Sequence, residues 1–216
     1  MVPLAEQRGL RFPDDYVIKM FFKEGLHRTP GRVLEAGCGN GNNLALFRGF
    51  GWDVTGVDRD PVALDNARHN FGPDPGATWI QADLGGGLPD TVLRQRFHAV
   101  LLPNVNCYLS RSEFDTLLAQ CGDVLESGVF FLRARTPRDW RYGKGVQVES
   151  NGFVLSGSET GEAGLLNVFY EPVDLIDMIA RRIGALSGMR VLSVRFENPQ
   201  ADIIVANDDV VLWGRR

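Results

Sequence analysis

The chain has 216 residues, 44% of them hydrophobic and 23% charged, with a formal net charge of -4. That length supports one domain with a sizeable core, and the composition is that of a globular protein rather than a disordered one. A negative balance disfavours general affinity for nucleic acid or an anionic membrane, since both call for basic surface.

The opening residues, MVPLAEQRGLRFPDDY, lack the apolar core and small-residue cleavage site of a signal peptide. No apolar run approaches the ~18 residues that cross a bilayer. Cys38, Cys107 and Cys121 are odd in number and widely spaced. Neither a disulfide framework nor a metal site is expected, and the cytoplasm is the expected location.

In chain order, Arg11-Phe12-Pro13-Asp14-Asp15-Tyr16 leads into a short amphipathic helix over 17–22, whose Ile18, Phe21 and Phe22 suit packing on a sheet. A buried strand over 32–36 runs into Gly37. The helix over 42–50 places Leu44, Ala45, Phe47 and Phe50 on one face and stops at Gly51. A second strand covers 53–57, and Pro61 opens a helix to about residue 69. Strands over 78–80 and 97–102 follow, then a helix over 112–125 and a strand over 128–132. This alternation predicts a parallel sheet with helices on both faces.

Past residue 132 the pattern changes. Residues 136–170 are rich in Gly, Ser and charge, with strand-like pieces at 152–155 and 166–170. A helix over 173–183 precedes two β-type runs, 191–196 and 203–212, the second broken by Asn207-Asp208-Asp209. The expected fold is α/β, a Rossmann-like doubly wound sheet of seven strands, mostly parallel, with a C-terminal antiparallel hairpin. An inserted β-rich cover follows the fifth strand. With no repeat or linker, 1–216 reads as a single domain.

The segment richest in chemistry is VLEAGCGNGNNLALFRGFGWDVTGVDRD. A strand ends in Gly37-Cys38-Gly39-Asn40-Gly41 and a helix starts at once. Glycines let the backbone turn sharply and approach a ligand without a Cβ in the way, and the helix start offers free N–H groups. Asp58 closes the next strand, suited to accept bonds from ribose hydroxyls, and Asp83-Leu84 follows the third. Ligands of open α/β sheets bind at these carboxyl ends. Structurally, Asp58 also suits a cap for the helix at Pro61, and Asp83 a turn before Gly85-Gly86-Gly87. A dinucleotide fingerprint would need glycine where Asn42 stands, so an NAD-dependent oxidoreductase is the remote alternative.

Glu35-x-Gly37-x-Gly39-x-Gly41, then Asp58, then Asp83-Leu84, resembles the ordered motifs of class I S-adenosylmethionine (SAM) dependent methyltransferases. The similarity covers about residues 31–135. It implies SAM as cofactor and S-adenosylhomocysteine (SAH) as product, with the glycine turn facing the methionine part. Asp58 would then hold the ribose, Asp83 the adenine amine, and Glu35 would support the turn. The cofactor set it implies is Tyr16, Glu35, Ala36, Gly37, Gly39, Asn42, Asp58, Arg59, Asp83, Leu84 and Asn104, with 1–28 as an N-terminal lid. Parts of the chain also resemble the tellurite-resistance-like and small-molecule branches.

The acceptor is expected beyond the fourth and fifth strands. Asn104, Asn106 and Tyr108 come first, against the plainer reading that they cap a turn. RARTPRDWRYGKG adds Arg133, Arg135, Trp140 and Tyr142, which suit an acidic acceptor through charge-assisted bonds, against the reading of a solvated basic loop. A small-molecule acceptor is expected. Protein or RNA methylation and a non-catalytic SAM-binding role stay open, as does whether 136–170 is a lid or a homodimer contact. His27, His69 and His98 suit structural or surface roles.

Overall fold

The computed structural model describes residues 1–9, 12–200 and 202–216; Arg11, within the expected lid segment, lies outside them. Helix α1 (Asp15–Lys23) is capped by the Asp14 carboxylate, which accepts from the Tyr16 and Val17 N–H groups. Four β-α steps and a fifth strand follow: β1 (Arg32–Ala36), α2 (Asn42–Gly49), β2 (Asp53–Asp58), α3 (Pro61–Phe71), β3 (Ala77–Gln81), α4 (Asp90–Leu93), β4 (Phe97–Pro103), α5 (Arg111–Val124) and β5 (Leu125–Arg135). Pro61 opens α3 behind an Asp60 cap, and Ser110 and Glu113 form a reciprocal capping box on α5. Strands β6 (Gly145–Glu149), β7 (Gly152–Leu155) and β8 (Leu166–Val168) come next, then α6 (Pro172–Arg182), β9 (Ser187–Gln200) and β10 (Ile203–Arg215).

The main sheet has seven strands in the order β3-β2-β1-β4-β5-β10-β9. Strands β1 to β5 are parallel, and β10 inserts antiparallel between β5 and β9. Alternate side chains of the buried strands feed two cores. Val33, Val54, Leu101, Phe131 and Trp213 pack with Met20, Phe21 and Phe47 of α1 and α2 on one face. Leu34, Val100, Leu132 and Leu212 pack with Phe114, Leu118 and Ile179 of α5 and α6 on the other. The order reverses between β1 and β4, and there the strand ends open a cleft.

A separate three-stranded antiparallel sheet, β6-β7-β8, forms the cover within the 136–170 insertion. The expected break at Asn207-Asp208-Asp209 is absent, because β10 is continuous through it. Those carboxylates are satisfied inside the strand. Asp208 pairs with Thr136, Arg138 and Arg195, and Asp209 with Arg133. Among the described residues, no helix is long and apolar enough to cross a membrane.

Candidate functional site

The site is built where β1, β2 and β4 end. After Ala36 the chain turns through Gly37 (φ 78°), Gly39 (φ 51°) and Gly41 (φ 77°). A Cβ on Gly37 would come within 2.7 Å of Val105, whereas one on Gly39 would meet only open space. The first glycine therefore serves close packing, and the second leaves bare backbone beside the cleft. The Gly39 N–H donates to Asp58 Oδ2 at 2.7 Å and the Asp60 N–H to Oδ1 at 3.0 Å. Two backbone donors thus fix the carboxylate while leaving each oxygen further lone pairs.

Two cavities meet here. The first, about 300 Å³, is lined by Asp58, Arg59, Ala82, Asp83, Leu84, Val105, Tyr108 and Leu109. The second, about 320 Å³, is lined by Phe12, Pro13, Asp14, Glu35, Gly39, Asn40, Asn42 and Asn43. Gly37, Pro103 and Asn104 border both. Asn104 holds φ 60°, a left-handed conformation that asparagine tolerates better than most side chains, and it turns the chain off β4 at this junction.

Glu35 is the strongly perturbed carboxyl of the site. It is buried, and burial pushes its carboxyl up to about 8 despite a 2.6 Å bond from the Asn43 amide; Asp14 and Asp58 push it further the same way. Its second oxygen, Oε2, is buried without a partner. Glu35 lines the second cavity, so a buried carboxyl with one oxygen unpartnered stands beside that space.

Glu35, Gly37, Gly39, Asn42, Asp58, Arg59, Asp83, Leu84, Asn104 and Tyr108 line the joined cavities. Ala36 is buried in the core at the end of β1. Tyr16 lies in the first turn of α1, with Lys19 Nζ 4.3 Å over its ring, and lines neither cavity. Phe12, Pro13 and Asp14 of the same segment do line one. Asn106 is fully buried, with both side-chain polar atoms unpaired.

The arginines expected on the acceptor side are paired within the protein. Arg133 is bound by Asp209 at 2.8 Å and by Asp14, and Arg135 by Glu162 at 2.7 Å and by Asn167. Arg141 is buried against Asp139 and Glu162. The cations expected to face an acidic acceptor are neutralised within the protein. Trp140 carries Lys144 Nζ 3.1 Å over its ring. Tyr142 donates to Asn151 at 2.9 Å and packs on Phe153 and Phe169, so both aromatics serve the cover.

Sequence reasoning missed Asn43, Asp14, Val105 and Glu162. Asn43 carried a local signal, a polar side chain in the first turn after the glycines that Glu35 requires as a partner. Glu162 carried none, since its partner Tyr108 is 54 residues away.

Together the geometry defines a Rossmann-like cleft at the strand ends, with Asp58 lining one of its joined cavities and Glu35 the other. Residues 33–128 match the family model of a methyltransferase domain. No curated protein matches the sequence. Solved structures share the fold over most of the chain. One comes from the conversion of a disulfide bond into a thioacetal group during echinomycin biosynthesis (TM-score 0.65, 20% identity, 95% of this chain and 82% of that one). Another is a SAM-dependent methyltransferase of Methanosarcina mazei (TM-score 0.63, 16% identity, 85% and 92%). A third is the N-methyltransferase NodS of Bradyrhizobium japonicum in complex with SAH (TM-score 0.60, 13% identity, 93% and 84%). Over residues 33–128 the chain is thus similar to a methyltransferase domain, and it shares the fold of solved SAM-dependent methyltransferases.

Proposed function

We propose that the chain transfers the methyl group of SAM to a small-molecule acceptor without a free acidic group. The observation that carries this is the pair of joined cavities, walled by the Phe12–Asp14 segment on one side and by Tyr108 on the other. Such a cleft suits a compact acceptor better than a protein or RNA surface. SAM supplies a methyl already activated on a sulfonium, so holding the acceptor in line accounts for much of the acceleration.

The chain's own residues do the holding. Asp58, fixed by two backbone N–H groups, accepts from the ribose. Asp83 and Leu84 close the adenine end, and Glu35 Oε2 receives the ammonium. Asn104, on both cavities, stands where the methyl meets the acceptor. An acidic acceptor loses its support because Arg133 and Arg135 already hold Asp209, Asp14 and Glu162. The N-methyltransferase NodS among the similar folds makes nitrogen nucleophiles the first compounds to try.

Calorimetric titration with SAH, with NAD in parallel, tests this. Micromolar binding of SAH alone is expected, weakened about tenfold or more in a folded Asp58→Ala variant that leaves ribose hydroxyls without their acceptor. Turnover is then read as methyl transfer to neutral amines and hydroxyl compounds. Binding of NAD alone overturns the cofactor. SAH binding with transfer only to a protein or RNA, or to nothing, overturns the acceptor class.

A further inference from the structure

The wall of the first cavity is completed from an unexpected place. Tyr108 belongs to a single turn after β4, and its ring lines the cavity beside Asn104 and Asp58. Its hydroxyl donates to Glu162 Oε1 at 2.7 Å. Glu162 lies in the loop joining β7 to β8, so the cover reaches under the floor of the cofactor site.

Glu162 is buried but not uncompensated. Arg135 donates to the same Oε1 at 2.7 Å, and Arg141 holds Oε2. Burial alone would raise its pKa; the two guanidinium groups and the tyrosine hydroxyl outweigh that and hold it down at about 2. The carboxylate is therefore ionised across the working pH range and accepts from a phenol that stays protonated, because burial also pushes Tyr108 well above the ordinary tyrosine value. Arg135 lies under the Tyr108 ring as well, 5.5 Å from its centroid. One carboxylate and one guanidinium thus clamp the ring in hydroxyl, plane and tilt.

We infer that Glu162 is a positioning residue for cofactor binding, holding the Tyr108 ring as a fixed wall of the nucleoside cavity and so making the β6-β7-β8 cover part of the SAM site. This rests on the first cavity receiving the nucleoside of SAM. A long insertion packed on the outside of a domain would stabilise it without touching the ligand. Here the insertion supplies the only acceptor of the Tyr108 hydroxyl found among the described residues, 54 positions along the chain. A ring held by two charged partners gives a ligand a preformed surface, and a freed ring must be ordered at each binding event.

Calorimetric titration with SAH, beside thermal unfolding, tests the inference on wild type, Tyr108→Phe, Glu162→Ala, Glu162→Gln and the Tyr108→Phe/Glu162→Ala double variant. Tyr108→Phe keeps the ring and removes the hydroxyl's bond to Glu162 together with the longer one it accepts from Arg135 at 3.4 Å; it is expected to weaken SAH about threefold to tenfold. Glu162→Ala is expected to weaken SAH by a similar factor, and the double variant no more than the worse single one, because both remove the same constraint. Glu162→Gln still accepts from the hydroxyl and should restore affinity to within about twofold of wild type.

A purely structural Glu162 would lower the melting temperature and leave the SAH affinity of every folded variant unchanged. That result overturns the inference, as does a double variant whose losses multiply. Should Glu162→Ala not fold once Arg135 and Arg141 lose their shared carboxylate, wild-type affinity in Tyr108→Phe overturns it alone. Failure of the wild-type chain to bind SAH would instead strike at the cofactor assignment, which separates the two.

Discussion

At the scale of single residues, Glu35 decides how the site responds to pH. Burial raises its carboxyl from 4.5 to about 8, so the folded chain keeps a proton between those values that the unfolded chain has lost. With more protons bound in the folded state, stability from this group is full below about 4.5 and declines as pH rises through about 8. A cation entering the second cavity reverses the preference, because it favours the carboxylate at Oε2. SAH affinity is therefore expected to rise with pH up to about 8, with proton release on binding at pH 7. Calorimetry in buffers of different ionisation enthalpy reads that proton directly. Release undiminished in Glu35→Gln would place the titrating group elsewhere. Stability and affinity thus move in opposite directions with pH.

At the scale of elements, Arg133 at the end of β5 ties together parts of the chain that sequence separates. It binds Asp209 of β10 and Asp14, the carboxylate that caps α1, and its guanidinium lies 5.4 Å from the Phe196 ring of β9. Burial already raises the Asp209 carboxyl despite that partner. Arg133→Met should leave Asp209 without its one side-chain partner among the described residues and Asp14 with its cap bonds alone, and cost about 3–5 kcal/mol, read as a lower denaturant midpoint. Adding Asp209→Asn should recover part of the loss; a change under about 1 kcal/mol in the single variant would show the pair to be expendable. This network also marks where sequence reading stops. The glycine turn, Asp58 and Asp83 were legible because each sits at or just past the end of a strand whose pattern is local and depends on backbone conformation rather than on distant side chains. Asp208 and Asp209 read as a break because acidic pairs inside a strand are costly unless cations from elsewhere reach them, and Arg138, Arg195 and Arg133 do. The basic run 133–144 read as a free patch for the mirror-image reason. β9 extends to Ser187–Gln200, well past the apolar core of its sequence, because pairing with β10 rather than side-chain pattern carries it.

At the scale of the whole molecule, the question is whether cover and sheet melt as one body. The cover is fastened on two sides. Toward β10, the Thr136 N–H donates to Asp208 O and the Trp140 N–H to Ala206 O, both at 2.9 Å. Toward α5, Arg111 donates to Ser150 O at 2.9 Å and Phe169 O at 3.1 Å. Between them Glu162 joins Arg135 of β5 to Arg141 and Tyr108. Alone, the cover's three short strands enclose only Phe153, Leu155 and Phe169, too small a cluster to hold a sheet in water. A single calorimetric transition is therefore expected for the 216-residue chain. SAH at a hundred times its Kd adds about 2.7 kcal/mol to the folded state, which for a chain of this size moves the melting temperature up by roughly 5–10 °C. Cover and sheet should move together, with the amides of β7 and β8 gaining hydrogen-exchange protection on SAH binding alongside those of β1 and β4. A separate early transition that ignores SAH would mean the cover folds and unfolds on its own account, and its carboxylate would then be a poor anchor for the cofactor wall.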